Sequence, residues 1–156
     1  ADGSAWSRAQ AWGLYGFTMM YRQARDPRYL EQAVRIGRFL MNHPALPKDK
    51  IPYWDLDAPV DRSTPRDASS AAIMASALIE LSTFVQDVLL SQQFLTLAEQ
   101  QLTSLSRAPY KARAGENANF ILQHSTANKP AGTFDTPLVY ADYYYIEALL
   151  RLKSRP

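Results

Sequence analysis

The chain has 156 residues, of which 47% are hydrophobic and 21% charged, and a formal charge of +2. This is material for one domain, apolar enough for a core and too weakly charged for disorder. Cysteine is absent and the only histidines are His43 and His124, which excludes a disulfide framework and a thiolate metal site and argues against a multi-histidine centre. No Lys/Arg block marks a nucleic-acid partner, and no apolar run approaches the roughly 20 residues of a bilayer span. No charged stretch followed by an apolar run opens the chain, so no secretory leader is expected.

Apolar spacing predicts helices throughout, an all-α class in which residues 1–156 form a single helical domain. The first helix is expected over about 8–23, with Ala9, Trp12, Gly16, Met19 and Met20 on one stripe. Asp26-Pro27 then gives a cap followed by proline at the first helical position, and a second helix is expected over about 28–42. The third, about 65–84, is apolar nearly all round its centre (Ala71, Ala72, Ile73, Ala75, Ala77, Leu78), as expected of a helix surrounded by others. The fourth, about 92–106, buries Phe94, Leu97, Ala98, Leu102 and Leu105 on one face, and the fifth runs over about 138–153.

The links alternate in length. Helices 1 and 2, and helices 3 and 4, are joined through a few residues around Asp26 and Asp87. The other two links are about twenty and about thirty residues, long enough to suggest function. Short links join antiparallel neighbours, so the long loops should gather at one end. That rim should hold Trp6, Arg8, Tyr53, Trp54, Asp55, Asp67, His124, Ser125 and Asp135, a mixture suited to a carbohydrate pocket. The alternation also suggests inner and outer helices. Three inner and two outer helices do not close a ring, so a preceding segment is expected.

Trp6-Ser7-Arg8-Ala9-Gln10-Ala11-Trp12-Gly13-Leu14-Tyr15-Gly16 resembles the W-[SA]-R-G-Q-A-W-x-x-Y-G segment of glycoside hydrolase family 88, the unsaturated glucuronyl hydrolases. The likeness continues through Asn42-His43-Pro44, Pro52-Tyr53-Trp54-Asp55 and Arg66-Asp67-Ala68-Ser69-Ser70-Ala71-Ala72. It resumes at His124-Ser125 and ends with Pro137-Leu138-Val139-Tyr140 and the helix that follows. Ala9 departs from the family's usual Gly. The resemblance implies the C-terminal half of an (α/α)6 barrel, built from helical hairpins as inner and outer helices. It also implies hydration of a vinyl ether, which releases a 4,5-unsaturated uronic acid from the non-reducing end of lyase-generated oligosaccharides. The family's catalytic Asp pair lies in the other half, so no catalytic residue is expected here, and no metal or organic cofactor is implied.

Six residues are the expected substrate contacts: Arg8, Trp12, Trp54, Asp67, His124 and Ser125. A guanidinium can hold the uronate carboxylate through two hydrogen bonds, and an indole one turn further along the same helix can cover a sugar face. The structural alternatives are an Arg8 paired with a neighbouring carboxylate, a Trp12 packed in the core, and an Asp67 that serves only the start of helix 3. His124 and Ser125 precede Lys129 in the loop that resembles the family's region for the next sugar, sometimes a sulfated one. The Tyr143-Tyr144-Tyr145 run should point one ring into the core and another toward the cavity. The expected partners are the oligosaccharide and either the missing N-terminal half or a second copy. A non-catalytic half-barrel that binds sugars or other proteins is the alternative. A tetratricopeptide array lacks a second copy at its period of about 34 residues. Gln10-Ala11 argues against the related rhamnogalacturonyl hydrolases, whose segment reads W-x-R-G-N-G-W.

Overall fold

In the computed structural model, which describes residues 3–155, α3 (Ala68–Phe84) is the axis. Every residue from Ala68 to Ile79 is buried, and the many Ala and Ser side chains allow neighbours close on all sides. α1 (Ser7–Ala24) and α5 (Val139–Lys153) flank it, while α2 (Pro27–Asn42) packs on α1 and α4 (Val88–Leu105) packs on α3. The result is a row of α1, α3 and α5 backed by α2 and α4, the alternation expected from the link lengths.

Two helix starts differ from the expectation. α3 begins at Ala68, not near Pro65, because the Asp67 carboxylate accepts the N–H groups of Ser69 (3.1 Å) and Ser70 (3.3 Å). Arg66 is extended and bridges Tyr53. α4 begins at Val88, a turn before Gln92, because Asp87 caps Leu89 and Leu90. Val88 and Leu89 are largely exposed, so the first turn breaks the apolar stripe that marks the rest.

The last long loop also carries a hairpin that the sequence did not announce, β1 (Ser125–Asn128) and β2 (Thr133–Thr136). Its antiparallel register pairs Ser125 with Thr136 and Asn128 with Thr133, with irregularities between. The loop is fastened to helices at both sides. Asp142 of α5 accepts the N–H groups of Ile121 (2.8 Å) and Leu122 (2.9 Å), and the His124 carbonyl accepts from Ala68 at the start of α3.

A polar network crosses the α1–α3–α5 row. Glu147 accepts from the Tyr15 hydroxyl (3.1 Å) and the Ser76 hydroxyl, while Glu80 pairs with Arg22 (2.8 Å) and Arg151 (2.7 Å). Burial, and then the charge of Glu147, push the Tyr15 phenol up to about 12. The unfolded chain therefore releases this proton first as pH rises, near the ordinary 10, and the folded state is progressively disfavoured from pH 10 to about 12. Urea midpoints measured across that window should fall. The fall should be shallower in Tyr15→Phe, though Tyr110, also raised by burial and by its bond to Asp49, keeps part of it.

Gly37 is where α2 meets the fully buried Phe94 of α4. A Cβ there would lie 3.0 Å from Phe94 Cζ and 3.1 Å from Cε1. Gly37→Ala should gain about 1 kcal/mol of helix propensity but lose about 1–3 kcal/mol to overpacking. Net destabilisation is expected in urea unfolding, and the added cost of Gly37→Ala should shrink in a Phe94→Leu background.

Candidate functional site

At the N-terminal ends of α1 and α3, extended segments are laced together. The Trp54 carbonyl accepts from Ser7 N–H (3.0 Å), Trp54 N–H donates to the Pro65 carbonyl (3.0 Å), and Asp67 N–H donates to the Pro52 carbonyl (2.9 Å). Trp6 bridges Asp55. Asp55 is buried, its carboxylate occupied by Ser4, Asp57 N–H and Ala58 N–H.

This scaffold opens a cleft of about 550 Å³. Trp6, Trp54 and Gln10 line it on the α1 side, and Asn128, Lys129 and Pro130 from the hairpin tip form the other wall. The Lys129 ammonium lies 4.1 Å from the centroid of the Phe134 ring. Two indoles and a cation lining one open cleft suit a sugar that carries a negative charge.

Arg8 and Asp67 lie beneath this cleft, with 4% and 0% of their surface exposed. Arg8 Nη1 is 3.3 Å from Asp67 Oδ2 and also donates to the Thr126 carbonyl, while Nη2 donates to the Ala127 carbonyl (2.5 Å). The guanidinium carbon stands 4.7 Å from the Trp6 ring centroid and 5.5 Å from that of Tyr140. Burial pushes the Asp67 carboxyl up, opposed by the Ser69 hydroxyl, by Arg8 and by the N–H groups of Thr126 and Ser70. In this arrangement Arg8 is paired with a neighbouring carboxylate and joins α1, α3 and β1.

Trp12 stands apart from the cleft lining, in an aromatic cluster. Its ring meets Tyr144 edge-on at 5.1 Å and Tyr15 edge-on at 6.5 Å, and lies 6.2 Å from Tyr140, leaving 38% of the residue exposed. Of the tyrosine run, Tyr145 is buried against Ser106, Tyr143 is exposed and Tyr144 joins this cluster. His124 is at the base of the hairpin, its Nδ1 2.5 Å from Asp135 Oδ1 and its ring edge-on to Tyr110. Ser125 is fully buried and its hydroxyl has no partner among the described residues. Thus Trp6, Trp54 and Asp55 share the cleft, Arg8 and Asp67 support it, and His124 with Asp135 sits at the hairpin base. Sequence reasoning missed the contributions of Gln10, Asn128 and Tyr140. Gln10 was visible only within a motif, and the other two needed the hairpin and the α1–α5 contact. Among the described residues no group of three His, Asp or Glu is placed to hold a metal ion.

Breaking a buried ion pair costs about 3–5 kcal/mol because the partner charge is left uncompensated. Arg8→Ala should therefore lower the melting temperature strongly. In Arg8→Ala/Asp67→Asn part of that loss should return, since no buried carboxylate is then stranded.

No family model matches the chain. It is 46% identical over 152 residues to an unsaturated glucuronyl hydrolase of Formosa agariphila, covering 97% of this chain and 37% of that protein. It is 35% identical over 153 residues to an unsaturated glucuronyl hydrolase of Bacillus sp. strain GL1, covering 97% of this chain and 40% of that one. A crystal structure of an unsaturated glucuronyl hydrolase specific for heparin superposes with a TM-score of 0.92 at 52% identity, over 96% of this chain and 40% of that one. The chain spans about 40% of the length of the relatives it matches. Over nearly its whole length it is similar in sequence and in helical-barrel fold to a segment of about two fifths of an unsaturated glucuronyl hydrolase.

Proposed function

We propose that this chain is the substrate-binding wall of a glycoside hydrolase that removes a 4,5-unsaturated uronic acid from the non-reducing end of lyase-generated oligosaccharides. The cleft carries this reading: two indoles, Trp6 and Trp54, and Lys129 line one space of about 550 Å³. The indoles cover the C–H faces of the sugar and the ammonium meets its carboxylate or a charge on the next sugar. Arg8 and Asp67 serve beneath the wall, holding Trp6 and the hairpin in register, and Ser125 is buried in the strand they hold. Trp12, exposed, and His124, half-buried against Asp135 and Tyr110, extend the binding surface on either side.

In the proposed reaction a carboxylic acid donates a proton to C4 of the vinyl ether. Positive charge develops at C5 and the ring oxygen, and water adds at C5. The hemiketal then opens and the remaining sugar leaves. An acid of this kind needs a raised pKa at the reacting atom. The domain reading, residues 1–156 as one helical unit equivalent to the C-terminal half of the barrel, assigns that acid to the other half. A lone binding module remains the alternative.

The remaining helices of the barrel are the partner this reading assigns to α5. Val139, Tyr143, Ile146 and Leu150 form an exposed apolar stripe at helical spacing, a feature that marks interfaces when it is continuous. Relatives more than twice as long supply further chain to cover it. Expressed by itself, the chain should self-associate in light scattering, and Ile146→Asp/Leu150→Asp should shift it toward monomer.

Binding is tested by titrating the chain with an unsaturated glucuronyl disaccharide and following tryptophan fluorescence. Loss of a hydrogen bond to a charged group is worth about 1.5–3 kcal/mol, so Lys129→Ala should weaken affinity about tenfold to a hundredfold. Trp54→Ala should weaken it as well, with the melting temperature little changed in both variants. Turnover, read as loss of the ultraviolet absorbance of the C4–C5 double bond, should appear only when the chain is joined to the relatives' remaining length. Turnover absent there too, with binding retained, would favour the binding module. Unchanged affinity in both variants would remove the cleft from the proposal.

A further inference from the structure

On the α2 side of the fold, well away from the cleft, lies a second groove of about 730 Å³. Arg28, Arg35 and Arg38 of α2 stand along one side, and the turn from Phe84 to Leu90 forms the other. Leu30, Val34 and Val85 make its floor, already half-buried against the core. At one end Arg25 places its guanidinium carbon 5.7 Å from the Tyr21 ring centroid and 5.5 Å from that of Phe84. Tyr21 is fifteen residues beyond Trp6, about 22 Å along α1 at 1.5 Å per residue, so the groove and the cleft are at opposite ends of that helix.

The charges in this groove are unbalanced. Arg28 is held by Asp26 through Nε and Nη2, and Glu31 is the one acid among the lining residues. Among the described residues Arg25, Arg35 and Arg38 have no carboxylate partner within ion-pair distance. All three are exposed. With Arg28 neutralised by Asp26, the unpaired cations are Arg35 and Arg38, three residues apart on α2, and Arg25 at the Tyr21–Phe84 end. A compact anion would need them to converge on one point. Set apart in this way, they fit an extended ligand with charges along its length, and each guanidinium matches a carboxylate or sulfate through paired N–H donors. An apolar-anchored peptide would gain little, because the floor side chains are already packed on their own core.

We propose that this groove is a second site, separate from the cleft, that binds an acidic polysaccharide carrying repeated carboxylates or sulfates. The choice of a sugar polymer rests on the proposed function, whereas the groove and its charge do not. The site holds the long chain from which the cleft's short substrate derives, and it needs no unsaturated end.

The test uses intact chondroitin sulfate chains prepared without lyase treatment, which lack the unsaturated terminus, and measures their Kd at low ionic strength by calorimetry. Arg35→Glu/Arg38→Glu should weaken polymer binding at least tenfold, leaving the melting temperature and the affinity for the unsaturated disaccharide unchanged. Arg35→Gln/Arg38→Gln should give a smaller loss in the same direction, and Trp54→Ala should affect only the disaccharide. Polymer affinity that survives both arginine pairs overturns the proposal. So does equally tight binding of polyglutamate or duplex DNA at the same ionic strength, which would assign the groove to acidic peptides, nucleic acid or charge alone. Disaccharide binding without polymer binding defeats the groove and spares the proposed function. Polymer binding that depends on the arginines, without disaccharide binding, does the reverse.

Discussion

The buried contact between Arg8 and Asp67 ties together more of this molecule than any other. Asp67 caps α3 through Ser69 and Ser70, accepts from Thr126 N–H and pairs with Arg8, while Arg8 reaches onward to the carbonyls of Thr126 and Ala127. Two charges out of water gain net stability only if their remaining donors and acceptors are satisfied, and here backbone groups on two segments do that work. The helix they anchor is buried along its first three turns and made largely of Ala and Ser. Such small side chains interlock weakly, so polar bonds at the helix start help to fix where it sits.

The cleft inherits its shape from that contact. Arg8 supports Trp6 from behind and draws β1 against α1, and β1 leads directly to the hairpin tip with Asn128 and Lys129. Both walls are thus referred to one guanidinium that itself scarcely meets solvent. Tyr140 extends the same construction toward α5, since its ring lies close to both Arg8 and Trp12. A substitution at Arg8 can therefore change ligand affinity without any contact between Arg8 and the ligand, and affinity has to be read together with stability to separate the two.

The extents of α1, α2 and α5 were legible in the sequence, starting and ending within a residue or two of expectation. The stripe expected on α1, however, is not its buried face: Ala9, Trp12 and Met20 are exposed, and Ser7, Arg8, Ala11, Leu14 and Thr18 pack inward. Legibility failed where tertiary bonds override the pattern. Pro65 looked like a first helical residue, but Asp67 offers two bonds to the helix start and leaves Arg66 free to bridge Tyr53. The hairpin has no alternation to announce it. Ser125-Thr126-Ala127-Asn128 is buried at one end only, its register slips twice, and Arg8 and Asp67 hold it from outside. At the site, Arg8 and Asp67 each stood out by type and position. Their pairing across 59 residues of chain could not be read from either, though a neighbouring carboxylate was the stated alternative for Arg8.

The carboxylates explain why a chain with this cleft is read as a wall and not as a complete catalyst. A general acid needs a raised pKa and also access to the atom it protonates. Asp67 has the first, through burial, but it lies under the cleft with both oxygens engaged. Asp55 has its oxygens committed to Ser4 and to the turn at Asp57 and Ala58. Asp142 holds Ile121 and Leu122, and Asp135 faces His124 at the base of the hairpin. Each aspartate near the site thus has a structural partner that would be lost if it turned to a ligand. The groups left lining the cleft are indoles, amides and one ammonium, which can position an acidic sugar, and none is the carboxylic acid that the proposed step uses. On the proposed reading, the proton donor belongs to the portion of the relatives' length that lies outside this segment.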